Sequence, residues 1–230
     1  MNKIVLIFLA FAGLASAQVM QEPIVNTEAP AVASLPAFLQ GACNPSGTAC
    51  STNCGGAGTC SAILPGTTTN PSVIFLITLT NASSSATACG HTMTLDATGS
   101  VYFQVYHYYN TAATACTVTE TGGVYNNIAA VEMSAPGLTG VTDQAAAGTG
   151  TSATALSPGS GPVTLAGAAD AVVAAEYGST VLSCNTGLTV NSLLSVPFTI
   201  ITGSIKSGSF QLTCPLSFSG TWYTIFDAVR

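Results

Sequence analysis

From Pro71 to Arg230 the chain is written as short apolar runs, rich in β-branched and aromatic residues and cut every few positions by Gly, Pro, Asn or Ser. Such runs suit strands rather than helices, whose apolar positions would recur every three to four residues. The clearest is Val73-Ile74-Phe75-Leu76-Ile77 with Leu79, bounded by Pro71 and Asn81, which reads as a buried strand. His91 to Leu95 and Val101 to Tyr109 flank Asp96-Ala97-Thr98-Gly99, the expected turn of a β-hairpin. Cys116 to Thr121, Ile128 to Met133, Pro162 to Leu165, Ala171 to Glu176, Thr180 to Cys184, Ser195 to Ile201, Ser209 to Cys214 and Thr221 to Val229 complete the set. This spacing predicts an all-β fold, a two-sheet antiparallel β-sandwich of jelly-roll-like form, over residues 71–230.

Residues 1–17 read as a secretory signal peptide: Lys3 supplies the basic start, Ile4 to Ala12 the apolar core, and Ala15-Ser16-Ala17 the small-residue cleavage site. The expected location is secreted or extracellular. All eight cysteines follow this segment, and an even count in an exported chain argues for a disulfide-stabilised fold. Spacing divides them. Cys43, Cys50, Cys54 and Cys60 are expected to pair among themselves, Cys89 with Cys116, and Cys184 with Cys214. A zinc site needs two close pairs, and Cys50 with Cys54 offers only one, so neither metal nor cofactor is expected.

Beyond the signal, nine acidic residues face only Lys206 and Arg230, a net charge of −7. Without clustered bases to release counterions, nucleic acid is excluded as a partner, and so is an anionic lipid surface. No second apolar stretch approaches the ~20 residues of a membrane helix, so no membrane insertion is expected. Hydrophobic residues make up 48% of the chain, ample for a core. Residues 18–40, with Pro23, Pro30, Pro36, Glu22 and Glu28, read as an extended acidic lead-in, and residues 41–70 as a Cys-rich segment shaped by its bridges. The low-complexity stretch Ala145 to Gly161 is expected to be a long surface connection inside the 71–230 sandwich, and no fixed internal repeat is visible. So few charges predict a stability that varies little between about pH 3 and 8.

In Val131 to Val172, a strand carrying Glu132 leads to Ser134, Asp143, the Gly148 to Ser152 stretch and Ala169-Asp170. Together with Gly220-Thr221-Trp222 through Arg230 and, more loosely, Tyr102 to Tyr109, this pattern resembles a β-sandwich module of exported and cell-surface proteins of environmental bacteria. The resemblance covers about residues 71–230, and the Gly41 to Cys60 segment has no counterpart in it. It implies a non-catalytic surface or adhesion role and transfers no catalytic residue.

Groups able to carry chemistry are few. There is no G-x-S-x-G elbow, and His91 and His107 are the sole histidines. A glycosidase needs an acid and a base or nucleophile flanking the sugar bond, and Glu132 and Glu176, late in their strands, are the candidates, with His107 a further one. Asp96 and Asp143 read as turn residues. Alternation along Val101 to Tyr109 sets Val101, Phe103, Val105, His107 and Tyr109 on one face and Tyr102, Gln104, Tyr106 and Tyr108 on the other. The second face offers phenol rings around an amide, a platform for sugar rings if exposed. Trp222 suits a core, and Asn81-Ala82-Ser83 is the one N-glycosylation sequon. The leading expectation is an exported, non-catalytic structural, adhesive or ligand-binding surface protein that meets polysaccharide or other cell-surface components. A secreted hydrolase and a carbohydrate-binding module are the alternatives.

Overall fold

The structure is a computed structural model that describes residues 34–43, 58–80, 84–99, 103–122, 127–157, 161–178, 180–185, 187–191, 198–217 and 219–230. The signal peptide, most of the lead-in, Cys50, Cys54, Asn81 and Tyr102 lie outside these residues.

The first half carries Phe38–Cys43 (β1), Thr59–Thr67 (β2), Ser72–Leu79 (β3), Ser85–Ala88 (β4), His91–Thr92 (β5), Thr94–Thr98 (β6), Phe103–Asn110 (β7), Ala115–Thr121 (β8) and Asn127–Ser134 (β9). An inner sheet has the order β1-β9-β3-β7-β6 and an outer sheet β2-β8-β4-β5, with antiparallel pairing throughout. The first and last strands are neighbours and the chain winds between the two sheets, which is the jelly-roll path. β3 is apolar at nearly every position because both its faces are covered. Val73, Phe75 and Ile77 enter one core, while Ile74 and Leu76 enter another.

The second half carries Thr142–Gly150 (β10), Thr154–Ser157 (β11), Val163–Leu165 (β12), Asp170–Tyr177 (β13), Leu188–Asn191 (β14), Phe198–Ile205 (β15), Gly208–Phe210 (β16), Leu212–Pro215 (β17) and Trp222–Val229 (β18). Its inner sheet has the order β10-β18-β13-β15-β14. Its outer layer is made of the β11-β17 and β12-β16 pairs and a bridge from Val181 to Leu216. The two inner sheets pack on each other through Val73, Phe75, Phe103, Val105, Val173 and Ile225, among others. The order of layers is therefore outer, inner, inner, outer, with one apolar core in each of the three gaps. No helix among the described residues is long and apolar enough to cross a membrane.

The all-β antiparallel sandwich anticipated from the strand pattern is present, and it is built twice. Strand for strand, β1-β9-β3-β7-β6 repeats as β10-β18-β13-β15-β14. The bridges repeat as well: Cys89–Cys116 ties the end of β4 to β8, and Cys184–Cys214 ties the Val181 segment to β17. An offset of 95 residues carries Cys89 to Cys184 and the starts of β2, β7 and β9 to those of β11, β15 and β18. Cys43 and Cys60 are disulfide-bonded too.

Two local expectations change. The stretch Ala145 to Gly161 is no surface connection: most of it forms β10 and β11, and β10 pairs along its length with β18. Its small residues answer to packing, since a Cβ on Gly148 would run into the Leu156 carbonyl and one on Gly150 would lie 2.5 Å from the Trp222 ring. The hairpin turn also moves. Asp96, Ala97 and Thr98 belong to β6, with a register shift between Leu95 and Ala97 that sets Asp96 at a bulge.

Candidate functional site

Both carboxylates named as a catalytic pair, Glu132 and Glu176, are buried. Glu132 on β9 faces the first outer sheet, where Oε1 accepts from the Thr69 amide at 2.6 Å and Oε2 from Gln40 Nε2 at 2.5 Å. Gln40 in turn is held by both backbone groups of Gly66. Glu176 on β13 shares the parity of Val172 and Ala174, which face the second outer layer. The two side chains thus enter different cores on the far sides of both inner sheets, a separation of more than the ~10 Å between packed sheets. They cannot flank one glycosidic bond, so the glycosidase pair is corrected.

The proposed sugar platform is corrected in the same way. Gln104 is 6% and Tyr106 2% exposed, because the first outer sheet covers that face of β7. Tyr106 Oη donates to the Ser84 carbonyl at 2.9 Å, Ser84 Oγ donates to Gln104 Oε1 at 2.6 Å, and burial pushes the Tyr106 phenol up. Tyr108 is half-buried and stacks on exposed His91, with centroids 5.2 Å apart.

His107 faces the central gap between the two inner sheets. Its Nδ1 lies 2.7 Å from Asp96 Oδ2 and 4.0 Å from Asp227 Oδ2. Its Nε2 meets the Gly140 carbonyl at 3.1 Å, and since a carbonyl only accepts, Nε2 carries a hydrogen. Thr142 Oγ1 donates to Asp96 Oδ1 at 2.5 Å. The residues come from β6, β7, β10 and β18, so the cluster joins the two halves. Gly140 lies in the link between them, and Tyr109 Oη pins the same link through the Leu138 carbonyl. Asp227 is fully buried. Burial first, then the charge and hydrogen bonding of Asp96, push its carboxyl well above the ordinary range.

A second acid pair lies near Arg230. Asp143 Oδ2 accepts from the Ala166 and Gly167 amides at 2.5 and 2.9 Å, and Arg230 Nη1 lies 3.9 Å from its Oδ1. Burial alone would raise Asp143, but those amides, a hydrogen bond from Asp170 and the Arg230 charge outweigh it and hold it below the usual value. Asp170 moves the other way: burial, then the hydrogen bond and charge of Asp143, push it up to about 7 against the pull of Arg230. Of the pair, Asp170 is therefore the one that keeps its proton to higher pH. Neither Asp96 nor Asp143 is a turn residue.

Sequence reasoning gives no chemical role to Asp170 or Asp227. The available signal is parity, since Asp227 sits between Ile225 and Val229 on the face that enters the central core. A charge at a core position of an apolar strand has to be paired there.

No family model and no curated protein sequence matches this chain. Among solved structures, the major capsid protein P2 from Bacteriophage PM2 is similar at 10% identity and a TM-score of 0.26, covering 85% of this chain and 98% of that one. A likeness so slight carries no argument here.

Proposed function

We propose that the chain is an exported, non-catalytic surface protein, structural or adhesive in role, whose outer face meets neutral polysaccharide. One observation carries this reading: Glu132, Glu176 and His107, its candidate acids and bases, are all buried. Glu132 and His107 are tied to the fold by the bonds described above, and none of the three is left to address a substrate. The disulfides suit an oxidising exterior.

The outer sheet of the first half supplies the contact surface. Register aligns Thr59, Thr121 and Ser85 across three strands, and Ser61, Thr119, Thr87 and Thr92 across four. Short hydroxyl side chains lose little rotamer freedom on contact, and they carry no charge, which favours an uncharged hydroxyl-bearing polymer over an ionic one. The test is retention of the folded mature chain on insoluble polysaccharides and a glycan array, with a hydrolase panel run in parallel. Retention lost in a Thr87→Arg, Thr119→Arg variant, with no turnover, is the expected result. Turnover that falls in Glu132→Gln would make the protein an enzyme, and retention indifferent to the arginines would remove the hydroxyl face.

A further inference from the structure

We propose that Asp96, His107 and Asp227 form a divalent-cation site, of the zinc or manganese class, that staples the two sandwiches together. Asp96, His107 and Asp227 each bring one ligand atom within 4.8 Å of the other two in the central core. Two features point to a ligand there. Both Asp227 oxygens are fully buried, their neighbours in the cluster are Asp96 and, at 4.0 Å, His107 Nδ1, and neither oxygen makes a hydrogen bond of good length and angle. His107 Nε2 donates to the Gly140 carbonyl, which fixes the ring with Nδ1 directed at the two carboxylates, the backbone tether typical of a ligating histidine.

Charge and geometry agree with a cation. The ion would displace the hydrogens shared within the cluster into solvent, after which two carboxylates and a neutral imidazole balance its double charge. Around a tetrahedral ion with ligands at roughly 2.0–2.1 Å, donor atoms sit about 3.3 Å apart. The Nδ1 separations of 2.7 and 4.0 Å bracket that value, so shifts of about 0.7 Å in the two carboxylates would complete the shell. Thr142 Oγ1, on Asp96 Oδ1, orients the first carboxylate from the second half. One imidazole with two carboxylates and no thiolate favours Zn2+ or Mn2+ over Ca2+, which takes oxygen alone. The site is independent of the polysaccharide reading, since it sits in the central core and not on the outer face.

The experiment uses the full folded chain. Metal content is measured after chelator dialysis and after reloading with Zn2+ or Mn2+, and melting is recorded in each state. Cobalt substitution supplies a visible spectrum that reports a nitrogen–oxygen shell. The site predicts about one ion per chain, a melting temperature that rises by roughly 5–10 °C with metal near 100 times its dissociation constant, and loss of both in Asp227→Asn. Asp96→Asn serves as the second variant should Asp227→Asn fail to fold. No retained ion with melting unchanged by chelator or metal would overturn the site and leave a proton as the cluster's link. Undiminished binding in the variants would locate the ion elsewhere and overturn it equally.

Discussion

Replacing Asp170 by Asn should flatten the dependence of stability on pH. Asp170 goes from an ordinary 3.8 in the unfolded chain to about 7 in the fold. A carboxyl raised in this way gives its full contribution below the unfolded value and loses it as pH climbs through the folded value, because ionisation is easier unfolded. At roughly 1.4 kcal/mol per pH unit, the loss between about pH 4 and 7 reaches some 4 kcal/mol. Arg230 is 46% exposed, so water reaches this end of the layers and screening trims the figure to about 2–4 kcal/mol. Asp143, held low, acts in the opposite sense and only on the acid side, where its contribution is lost as pH falls below about 4. Stability should therefore peak near pH 4 and decline toward pH 8. In a domain of this size that is about 4–16 °C in Tm.

The assay is urea unfolding followed by the fluorescence of Trp222, the sole tryptophan and a core residue, at pH 4.5, 6, 7.5 and 8.5. Asp170→Asn keeps an amide of the same shape beside the Asp143 carboxylate but cannot titrate. The readout is the difference between the wild-type and variant slopes, in which groups outside the Asp143–Asp170 pair cancel, while Asp143 itself titrates on the acid side of this range. The variant should gain about 2–4 kcal/mol on wild type between pH 4.5 and 8.5. Parallel curves, or a wild type that strengthens over that range, would refute the assignment of the proton to Asp170.

Three further outcomes are expected. Converting Cys184 and Cys214 to Ala should cost about 3.5 kcal/mol and converting Cys89 and Cys116 about the same, since the closed loops span 30 and 27 residues; urea midpoints of both pairs and the quadruple variant test this, with near-additive losses for bridges in separate halves. Gly148→Ala should lose about 2 kcal/mol or more because the Leu156 carbonyl has nowhere to yield, whereas Gly137→Ala, facing open space at a φ of +74°, should lose only about 1–2 kcal/mol in the same measurement. Tyr106→Phe should lower stability by about 1–2 kcal/mol, through the Ser84 carbonyl left without its donor, and leave polysaccharide retention unchanged.

Much of the strand pattern was legible because it depends on local alternation. Ser72–Leu79 and Asp170–Tyr177 announce themselves as apolar runs, and the wide spacing of the later cysteines points to the pairs that form. Strands built of Thr, Ala and Gly, such as β10, are hidden because their residue choice follows from the layer pressed against them and that layer is distant in sequence. The charged clusters are hidden for a related reason. Counting charges predicts a stability almost indifferent to pH, but Asp143 with Asp170 and Asp96 with Asp227 lie in contact as pairs, and contact rather than number sets their titration.

The doubling of the fold is hard to read from sequence because a winding path is specified by turns and alternation and tolerates wide changes in side chain. β3 reads SVIFLITL where its counterpart β13 reads DAVVAAEY. In β7 and β15 the offset of 95 still matches core residues, Phe103 with Phe198 and Val105 with Ile200, all in the central gap. It then sets His107 against Thr202 and Tyr109 against Ser204. Those two first-half residues are the ones that grip the link between the halves, at Gly140 and Leu138. The repeat breaks where the join requires it to. His107 is therefore accounted for by the joining of two sandwiches, and Asp96 and Asp227, drawn from opposite halves, lie with it at the join.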